Sequence, residues 1–315
     1  MNILVTGGVG FIGSHVCDAL LAKGKGVICV DNFNDYYNPK VKENNIGEAS
    51  KNNNFVLYRA DITNKEELRR IFEENNINKI IHLAARAGVR TSFENPKLYE
   101  KVNVEGTRNL LDLAKEFKIK NFIFGSSSSV YGINKKVPFS EDNPTKNMVS
   151  PYAKTKKKAE ELCKECHSNF GLKVTCLRFF TIYGPRGRPD MAPYKFTKLL
   201  LNDKPIEMYG DGTTKRDYTY IKDIVNGILS ALDKNFGFEI INLGNSNPVE
   251  LMKLISVIEK ATGKKAKINQ LPMQKGDVPI TYADISKAKR LLNYKPKIKI
   301  EEGIKLFVGW FKNEK

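Results

Sequence analysis

The chain has 315 residues, of which 41% are hydrophobic and 28% charged; this length predicts two domains, and this composition excludes a disordered chain. Its apolar runs end after a few residues and are too short for a membrane-spanning helix. Its first residues do not resemble a cleavable signal, so we expect a cytoplasmic protein without a membrane partner. The 52 Lys and Arg against 35 Asp and Glu give a net charge of +17, which favours a lysine-rich solvated surface over a nucleic-acid-binding one.

Apolar runs of strand length alternate with amphipathic segments of helical period through the first half of the chain. The predicted strands are residues 3–5, 27–30, 55–58, 80–83, 122–124 and 174–178. The predicted helices between them are residues 12–21, 66–74 and 104–117. Thr63 followed by Glu66 predicts a capping box at the start of the second helix. Apolar strands separated by helices indicate a parallel sheet covered on both faces, so the predicted fold class is α/β with a Rossmann-like doubly wound sheet.

Beyond about residue 179 the pattern changes to shorter pieces separated by Pro and Gly. The remaining predicted elements are a strand at 240–243 and helices at 224–232, 252–261 and 304–311. We expect a Rossmann dinucleotide-binding domain of residues 1–178 with about 217–245, and a smaller α/β substrate-binding domain of residues 179–216 with 246–315. The cleft between them should lie at the carboxyl ends of the strands, where open α/β sheets bind ligands.

A glycine-rich turn joins the first predicted strand to the first predicted helix, with Gly7, Gly10 and Gly13. Glycines there permit the tight turn, let a pyrophosphate approach the backbone and let the helix start close to the strand. Asp31 comes at the end of the next predicted strand, 18 residues after Gly13, where a carboxylate accepts hydrogen bonds from a ribose 2′-OH and repels a 2′-phosphate. Asn32 and its neighbours supply no compensating Arg, so the pattern favours NAD over NADP; a purely structural glycine turn is the alternative.

Tyr152 and Lys156 form a candidate proton-transfer pair. Several Tyr-x-x-x-Lys pairs occur in this lysine-rich chain, but only this one follows a Ser-Pro helix start and a serine run, 126–129, at the end of a central predicted strand. One helical turn separates the two side chains, and a nearby ammonium, together with a positive nicotinamide, should bring a phenol pKa from about 10 towards 7. Tyr152 is therefore a candidate general base, with a surface tyrosine as the alternative.

The five cysteines are too few, and odd in number, for a disulfide framework. Cys163, Cys166 and His167 match a haem-attachment pattern or half of a zinc site. The sequence contains no second Cys/His cluster and no export signal ahead of the first strand, so we expect neither haem nor another metal site.

Taken together, these motifs resemble the extended short-chain dehydrogenase/reductases that act on nucleotide sugars, over essentially the whole chain. Further motifs that carry the resemblance are Asp61-Ile62, Leu83-Ala84-Ala85, the serines before Val130-Tyr131-Gly132, Gly210-Asp211-Gly212 with Arg216-Asp217, and Gly276-Asp277-Val278. Within that family, residues 31–37, 84–90 and 178–192 resemble the corresponding segments of UDP-glucuronate 4-epimerases.

The resemblance implies a tightly bound NAD. The implied cofactor-binding residues are Gly7, Gly10, Phe11, Ile12, Gly13, Asp31, Asn32, Asp61, Ile62, Leu83, Ala84, Ala85, Tyr152, Lys156 and Phe179. The resemblance also implies that Tyr152 takes the C4-OH proton while the C4 hydride passes to NAD, and that Ser127 hydrogen-bonds O4. Lys156 would lower the Tyr152 pKa and hold the nicotinamide ribose. The 4-keto sugar then turns over and receives the hydride on its other face.

The implied substrate-binding residues are Ser128, Ser129, Thr181, Arg188, Arg216 and Asp277. Arg188 and the two serines would hold the C5 carboxylate of a glucuronate against loss of CO2 from the β-keto acid, and Arg216 would meet the UDP diphosphate. Gln274 stands where many galactose-type epimerases carry a second diphosphate-binding Arg.

The triplet at residues 127–129 contains three serines and no acid. Related 4,6-dehydratases resemble Thr-Asp-Glu at this place and UDP-glucuronate decarboxylases resemble Thr-Ser-Glu, so the triplet favours plain C4 inversion of UDP-glucuronate to UDP-galacturonate. The alternatives are a 4-epimerase of a neutral UDP-hexose or UDP-N-acetylhexosamine, a UDP-glucuronate decarboxylase, and a non-catalytic NAD-binding scaffold or RNA-associated protein. The helices after Asn95 and Pro151 resemble those of a family dimer, so a homodimer is expected.

Overall fold

The computed structural model describes residues 1–273 and 278–314, so Gln274 and Asp277 lie outside the described residues and their roles stay predictions. The strands are β1 Asn2–Thr6, β2 Gly26–Asp31, β3 Phe55–Arg59, β4 Ile77–His82, β5 Asn121–Ser127, β6 Val174–Phe179, β7 Thr181–Tyr183, β8 Ile206–Tyr209, β9 Lys215–Tyr220, β10 Phe238–Leu243, β11 Pro248–Glu250, β12 Ile268–Leu271 and β13 Ile280–Thr281.

The helices are α1 Phe11–Leu21, α2 Pro39–Asn45, α3 Lys65–Glu74, α4 Thr91–Glu94, α5 Pro96–Glu100, α6 Gly106–Glu116, α7 Pro151–Phe170, α8 Ala192–Leu201, α9 Ile221–Leu232, α10 Leu251–Thr262, α11 Ser286–Leu292 and α12 Ile300–Asn313. A π-helical segment, Lys101–Glu105, joins α5 to α6. The strands and helices predicted from the sequence correspond to observed elements and differ from them only at their ends.

Among the described residues, seven strands form one parallel sheet in the order β10-β6-β5-β4-β1-β2-β3. From β1 the chain first builds outwards through β2 and β3, then returns to place β4, β5, β6 and β10 on the other side. The order therefore reverses between β1 and β4, which is the position where doubly wound sheets bind their ligands. The predicted α/β doubly wound fold is confirmed.

The sheet is covered on both faces because its strands are apolar at successive positions. Ile3 and Val5 of β1 belong to one buried cluster, which also takes in residues of α1 and α9. Leu4, between them, belongs to a second cluster with residues of α3, α6 and α7. Since neighbouring side chains of a strand point to opposite faces, residues 3–5 of β1 contribute to the cores on both sides of the sheet.

The predicted capping box at Thr63 is wrong. The N-cap of α3 is Asn64, whose side chain accepts a hydrogen bond from the Glu67 backbone at 3.3 Å. The Thr63 hydroxyl instead donates to the Asp61 carboxylate at 2.7 Å. Thr and Asn both cap helices well. The Thr63 side chain is already bonded to Asp61, and Asn64 takes the capping position.

The later part of the chain forms two small sheets. Strand β9 pairs with β7, β11 and β13, and β8 pairs with β12. Strand β10 instead lies at the edge of the large sheet beside β6. The division into two domains stays a prediction.

No helix in the described ranges is both long enough and apolar enough to cross a bilayer. All five cysteines are buried and carry free thiols. The described His, Cys, Asp and Glu side chains do not form a group that could hold a metal ion.

Candidate active site

A cleft of about 840 Å³ lies at the carboxyl ends of the sheet strands. Every predicted site residue in the described ranges lines it, and these residues are Gly7, Gly10, Phe11, Ile12, Gly13, Asp31, Asn32, Asp61, Ile62, Leu83, Ala84, Ala85, Ser127, Ser128, Ser129, Tyr152, Lys156, Phe179, Thr181, Arg188 and Arg216. The fold thus brings together residues that are far apart in the chain, as the topology of the sheet requires.

The glycine turn after β1 leaves no room for side chains. Gly7 has a φ of +71°, and a Cβ there would lie 2.6 Å from the backbone nitrogen of Ala84. A Cβ on Gly13 would overlap the carbonyl oxygen of Gly7. Helix α1 begins after Gly10, which has no side chain to cap the first backbone N–H groups. This bare helix N-terminus fits the pyrophosphate of a dinucleotide.

The carboxylate of Asp31 lies at the end of β2 and lines the cleft. The side chain is buried and accepts a hydrogen bond from the Phe33 backbone at 2.9 Å. Burial raises the pKa of Asp31, and the nearby Lys42 ammonium opposes the rise. On the neighbouring strand end, Asp61 accepts a hydrogen bond from the Asn32 side chain at 2.8 Å. A carboxylate at the end of the second strand is where a Rossmann fold binds the adenosine ribose, and the cofactor-binding roles of Asp31 and Asp61 stay predictions.

Lys42 is a cleft residue that the sequence analysis missed. Its ammonium is buried, donates to the Asn34 carbonyl at 2.7 Å and lies 5.0 Å from the centre of the Tyr37 ring. Residues 32–34 supply no cation, as the sequence analysis stated, but Lys42 on α2 brings one to Asp31 from further along the chain. The Asn38-Pro39 helix start was the signal for α2, since Asn is a common N-cap and Pro a common first residue.

Ser127 ends β5 and Tyr152 lies in the first turn of α7. The Ser127 hydroxyl donates to the Ser129 hydroxyl at 3.1 Å and accepts from the Ser129 backbone at 3.2 Å. Burial raises the pKa of Tyr152, while a hydrogen bond with Ser127 and the charge of Arg188 act in the opposite direction. The helix that carries Tyr152 is fixed at its start by Ser150, which accepts a hydrogen bond from the Ala153 backbone at 3.1 Å.

The predicted lowering of the Tyr152 pKa stays a prediction, because it depends on a bound nicotinamide as well as on Lys156. The Lys156 ammonium is 4% exposed and donates to the Gly125 carbonyl at 2.7 Å. Burial lowers the pKa of Lys156 to about 8, while burial of the phenol keeps the Tyr152 pKa above its ordinary value. The expected shift towards 7 included the positive charge of an oxidised nicotinamide, and the side chains alone do not supply it.

Arg188 lies in the loop after β7 and already holds a carboxylate. Its Nε and Nη2 donate to the two oxygens of Asp190 at 3.0 and 2.6 Å. Burial alone would lower the Arg188 pKa, but pairing with Asp190 raises it, so the guanidinium stays charged. Arg216, on β9, donates to the carbonyls of Lys215 and Val278 at 2.9 and 2.8 Å. Both guanidiniums line the cleft and bring positive charge to it.

A buried ion pair, also missed from the sequence, lies behind the serine run. Glu160 on α7 and Arg178 on β6 are 1% and 2% exposed, and two hydrogen bonds of 2.8 Å join them. Ser126, the residue before Ser127, donates to the same carboxylate at 2.7 Å. Sequence alone gives little signal for this pair because its members lie 18 residues apart, one on a helix and one on the following strand.

Residues 4–307 match the family model described as GDP-mannose 4,6 dehydratase. The chain belongs to this family of extended short-chain dehydrogenase/reductases. The family resemblance predicted from the motifs is confirmed.

Relatives within this family match along nearly the whole chain. A UDP-glucuronate 4-epimerase of Thermodesulfobacterium geofontis is 49% identical over 310 residues, which cover 98% of this chain and 95% of that protein. The crystal structure of UDP-glucuronic acid 4-epimerase from Bacillus cereus, in complex with UDP-glucuronic acid and NAD, is 40% identical with a TM-score of 0.95 and covers 100% of both chains. The UDP-glucose 4-epimerase of Thermotoga maritima, with UDP-glucose, is 36% identical with a TM-score of 0.92, covering 100% of this chain and 99% of that one.

Proposed function

We propose that the protein is an NAD-dependent UDP-glucuronate 4-epimerase, which inverts C4 to give UDP-galacturonate through a transient 4-keto sugar. One observation carries the proposal: the acid-free serine run and the charged Arg188 line the same cleft as Tyr152 and Lys156. The relative that is 49% identical is a UDP-glucuronate 4-epimerase, and the Bacillus cereus neighbour holds UDP-glucuronic acid and NAD.

The glycine turn, the bare N-terminus of α1 and Asp31 would hold the dinucleotide. The cofactor, when bound, supplies the acceptor and later the donor of the C4 hydride. Tyr152 takes the proton of the C4 hydroxyl and returns one to O4, so acid and base are the same phenol. Ser127 hydrogen-bonds O4 in both half-reactions, and the Lys156 ammonium stabilises the phenolate.

A glucuronate substrate adds the risk of losing CO2, because its 4-keto form is a β-keto acid. Ser128, Ser129 and Arg188 bind the C5 carboxylate and keep it from leaving. A guanidinium suits this task since it offers planar pairs of N–H donors that match a carboxylate. Neither serine supplies an acid that would move protons in an elimination.

Epimerisation of a neutral UDP-hexose is the second candidate. It is favoured by the Arg188–Asp190 pair, in which a carboxylate of the protein already occupies two N–H donors of the guanidinium. The Arg188→Ala variant separates the two functions. It should abolish turnover of UDP-glucuronate in a glucuronate enzyme and leave a neutral-sugar enzyme largely active.

The decisive experiment follows the anomeric protons by NMR when purified protein is mixed with UDP-glucuronate, with and without added NAD. Formation of UDP-galacturonate supports the proposal, and formation without added NAD supports the expected tight binding of the cofactor. A UDP-pentose product would replace the proposal with a decarboxylase. No change in either mixture would reject glucuronate as the substrate, and UDP-glucose and UDP-N-acetylglucosamine would be tested next.

We also propose that the protein is a homodimer joined through α5, α6 and α7. These helices pack side by side, and Lys158 of α7 is tied to Glu100 of α5 at 2.7 Å. Light scattering at micromolar concentration should give twice the chain mass of 35.6 kDa. A particle of the single-chain mass would reject the dimer.

The proposed location is the cytoplasm. All five cysteines are free thiols, which is usual in a reducing compartment. Fractionation of the source cells, with the protein detected in the cytoplasmic fraction, would test this.

A further inference from the structure

Glu160 stands on the same face of α7 as the proposed catalytic pair. It follows Tyr152 by two helical turns and Lys156 by one, so the three side chains lie in a row. Its carboxylate accepts three hydrogen bonds, from Ser126 at 2.7 Å and from Nε and Nη2 of Arg178 at 2.8 Å each. A buried carboxylate with three charge-assisted or hydroxyl donors is held in a single position.

These contacts connect the helix with the strand that ends in Ser127. Ser126 is the preceding residue of β5, and Arg178 is its direct neighbour on β6. Lys156 makes a second connection, from its ammonium to the carbonyl of Gly125 at 2.7 Å. Two successive residues of β5 are therefore tied to α7 just before the strand delivers Ser127 to the cleft.

Arg178 is in turn held from its other side. Its guanidinium lies 4.8 Å from the centre of the Tyr131 ring, and the Tyr131 hydroxyl donates to the Asn242 side chain on β10 at 2.7 Å. Glu160 and Arg178 are not among the described residues that line the cleft, so they do not contact a substrate there. Any effect they have on the reaction acts through their neighbours.

The surroundings of Lys156 contain few charges. The titratable groups around it are Tyr152, Glu160 and Cys163 on α7, Cys176 on β6 and His82 on β4. Glu160 itself faces two cations, Arg178 at 2.8 Å and Lys157 at 3.8 Å. Burial lowers the Lys156 pKa, and electrostatic interactions with Cys163, Glu160 and Cys176 oppose this. Because a buried thiol is mainly neutral, Glu160 is the full negative charge in this set.

We propose that Glu160, held by Arg178, is a positioning residue of the active site: it fixes Ser127 of β5 relative to Tyr152 of α7 and places a negative charge one turn from Lys156. The proposal rests on the proposed catalytic roles of Ser127, Tyr152 and Lys156. It does not depend on which UDP-sugar is the substrate.

The test is the pH profile of kcat/KM for the NAD-loaded Glu160→Gln variant. Glutamine keeps the shape of the side chain and an acceptor for Ser126 but removes the charge. In the wild type we expect kcat/KM to fall above about pH 8, where Lys156 loses its proton. In Glu160→Gln this fall should begin about one pH unit lower, and kcat should drop roughly tenfold while KM changes less than about threefold.

Glu161→Gln is the matched control, since Glu161 is the next residue of α7 and its side chain is 57% exposed. It should leave both kcat and the pH profile unchanged. Glu160→Asp, which restores the charge, should bring the high-pH limb back towards the wild-type position even if kcat recovers only in part.

Stable Glu160→Gln enzyme with the wild-type kcat and pH profile would overturn the proposal and leave the pair a purely structural one. If that variant fails to fold, the double variant Glu160→Gln with Arg178→Met removes both buried charges together, and a wild-type kcat in this variant would overturn the proposal equally.

Wild-type activity on another UDP-hexose but not on UDP-glucuronate rejects the proposed function only, and the profiles are then measured with that sugar. A wild type inactive on every UDP-sugar rejects the catalytic roles, and the proposal with them.

Discussion

His82 makes the stability of the protein dependent on pH. It ends β4 with its side chain 1% exposed, and its Nδ1 and Nε2 lie 2.7 and 2.9 Å from the hydroxyl oxygens of Thr6 and Thr107. Burial, with a smaller effect from the charge of Lys156, lowers the pKa of His82 to about 3. Between about pH 6.5 and pH 3 the imidazole is therefore neutral in the folded protein, whereas it would be protonated in the unfolded chain.

The unfolded chain binds this proton with a pKa of about 6.5. Because the folded pKa is the lower of the two, the contribution of His82 is complete above about pH 6.5 and is lost as the pH falls from there towards 3. The linkage relation gives a loss in the free energy of unfolding of about 1.4 kcal/mol at pH 5.5 and about 2 kcal/mol at pH 5.

The measurement compares urea denaturation of the wild type and His82→Gln at pH 7.5 and 5.5. Glutamine keeps one hydrogen-bond acceptor and a donor group but does not titrate, and we expect the carboxylates to titrate alike in both proteins. The free energy of unfolding of the wild type relative to that of His82→Gln should be about 1.4 kcal/mol lower at pH 5.5 than at pH 7.5. A difference of the same size at both pH values would refute the reasoning, because His82 would then be protonated equally in the folded and unfolded chains.

Three further predictions concern the cleft. Gly13→Ala places a methyl group against the carbonyl of Gly7 and should abolish NAD binding in a titration. Gly309→Ala is the control: its methyl group would meet open space beside α12, so NAD binding should be unchanged and the free energy of unfolding should rise by up to about 1 kcal/mol. Asp31→Ala removes the buried carboxylate and should weaken NAD about 10- to 100-fold while weakening NADP less; equal losses for both would contradict its proposed role. Asp190→Asn removes the negative charge paired with Arg188 and should lower the KM for UDP-glucuronate, because the guanidinium then binds the substrate carboxylate without a competing anion; a higher KM, or more decarboxylated product by NMR, would contradict this role of Arg188.

The sheet and its cleft were predictable from the sequence because both depend on local patterns. Apolar strands alternating with helices specify the parallel sheet, and the glycine turn, Asp31 and the Tyr152–Lys156 spacing each occupy a short stretch. Since the carboxyl ends of parallel strands meet at one edge, placing the motifs on elements also placed them together.

Side chains whose partners are distant in the chain were not predictable in this way. Lys42 reaches Asp31 only because α2 folds back over the strand end, and the Glu160–Arg178 pair forms only when α7 packs on β6. The pKa of Tyr152 depends on burial, which a helical spacing does not reveal. In each case the missing information is the tertiary packing around a group.

The five buried thiols provide a set of internal reporters of how the fold opens. Cys17 and Cys29 lie in α1 and β2, on one side of the sheet order, whereas Cys163, Cys166 and Cys176 lie in α7 and β6 on the other. A thiol reagent can modify them only after local opening exposes them to solvent. Equal labelling rates at all five would mean that the sheet opens as one cooperative unit, and two distinct rates would mean that its two halves come apart independently.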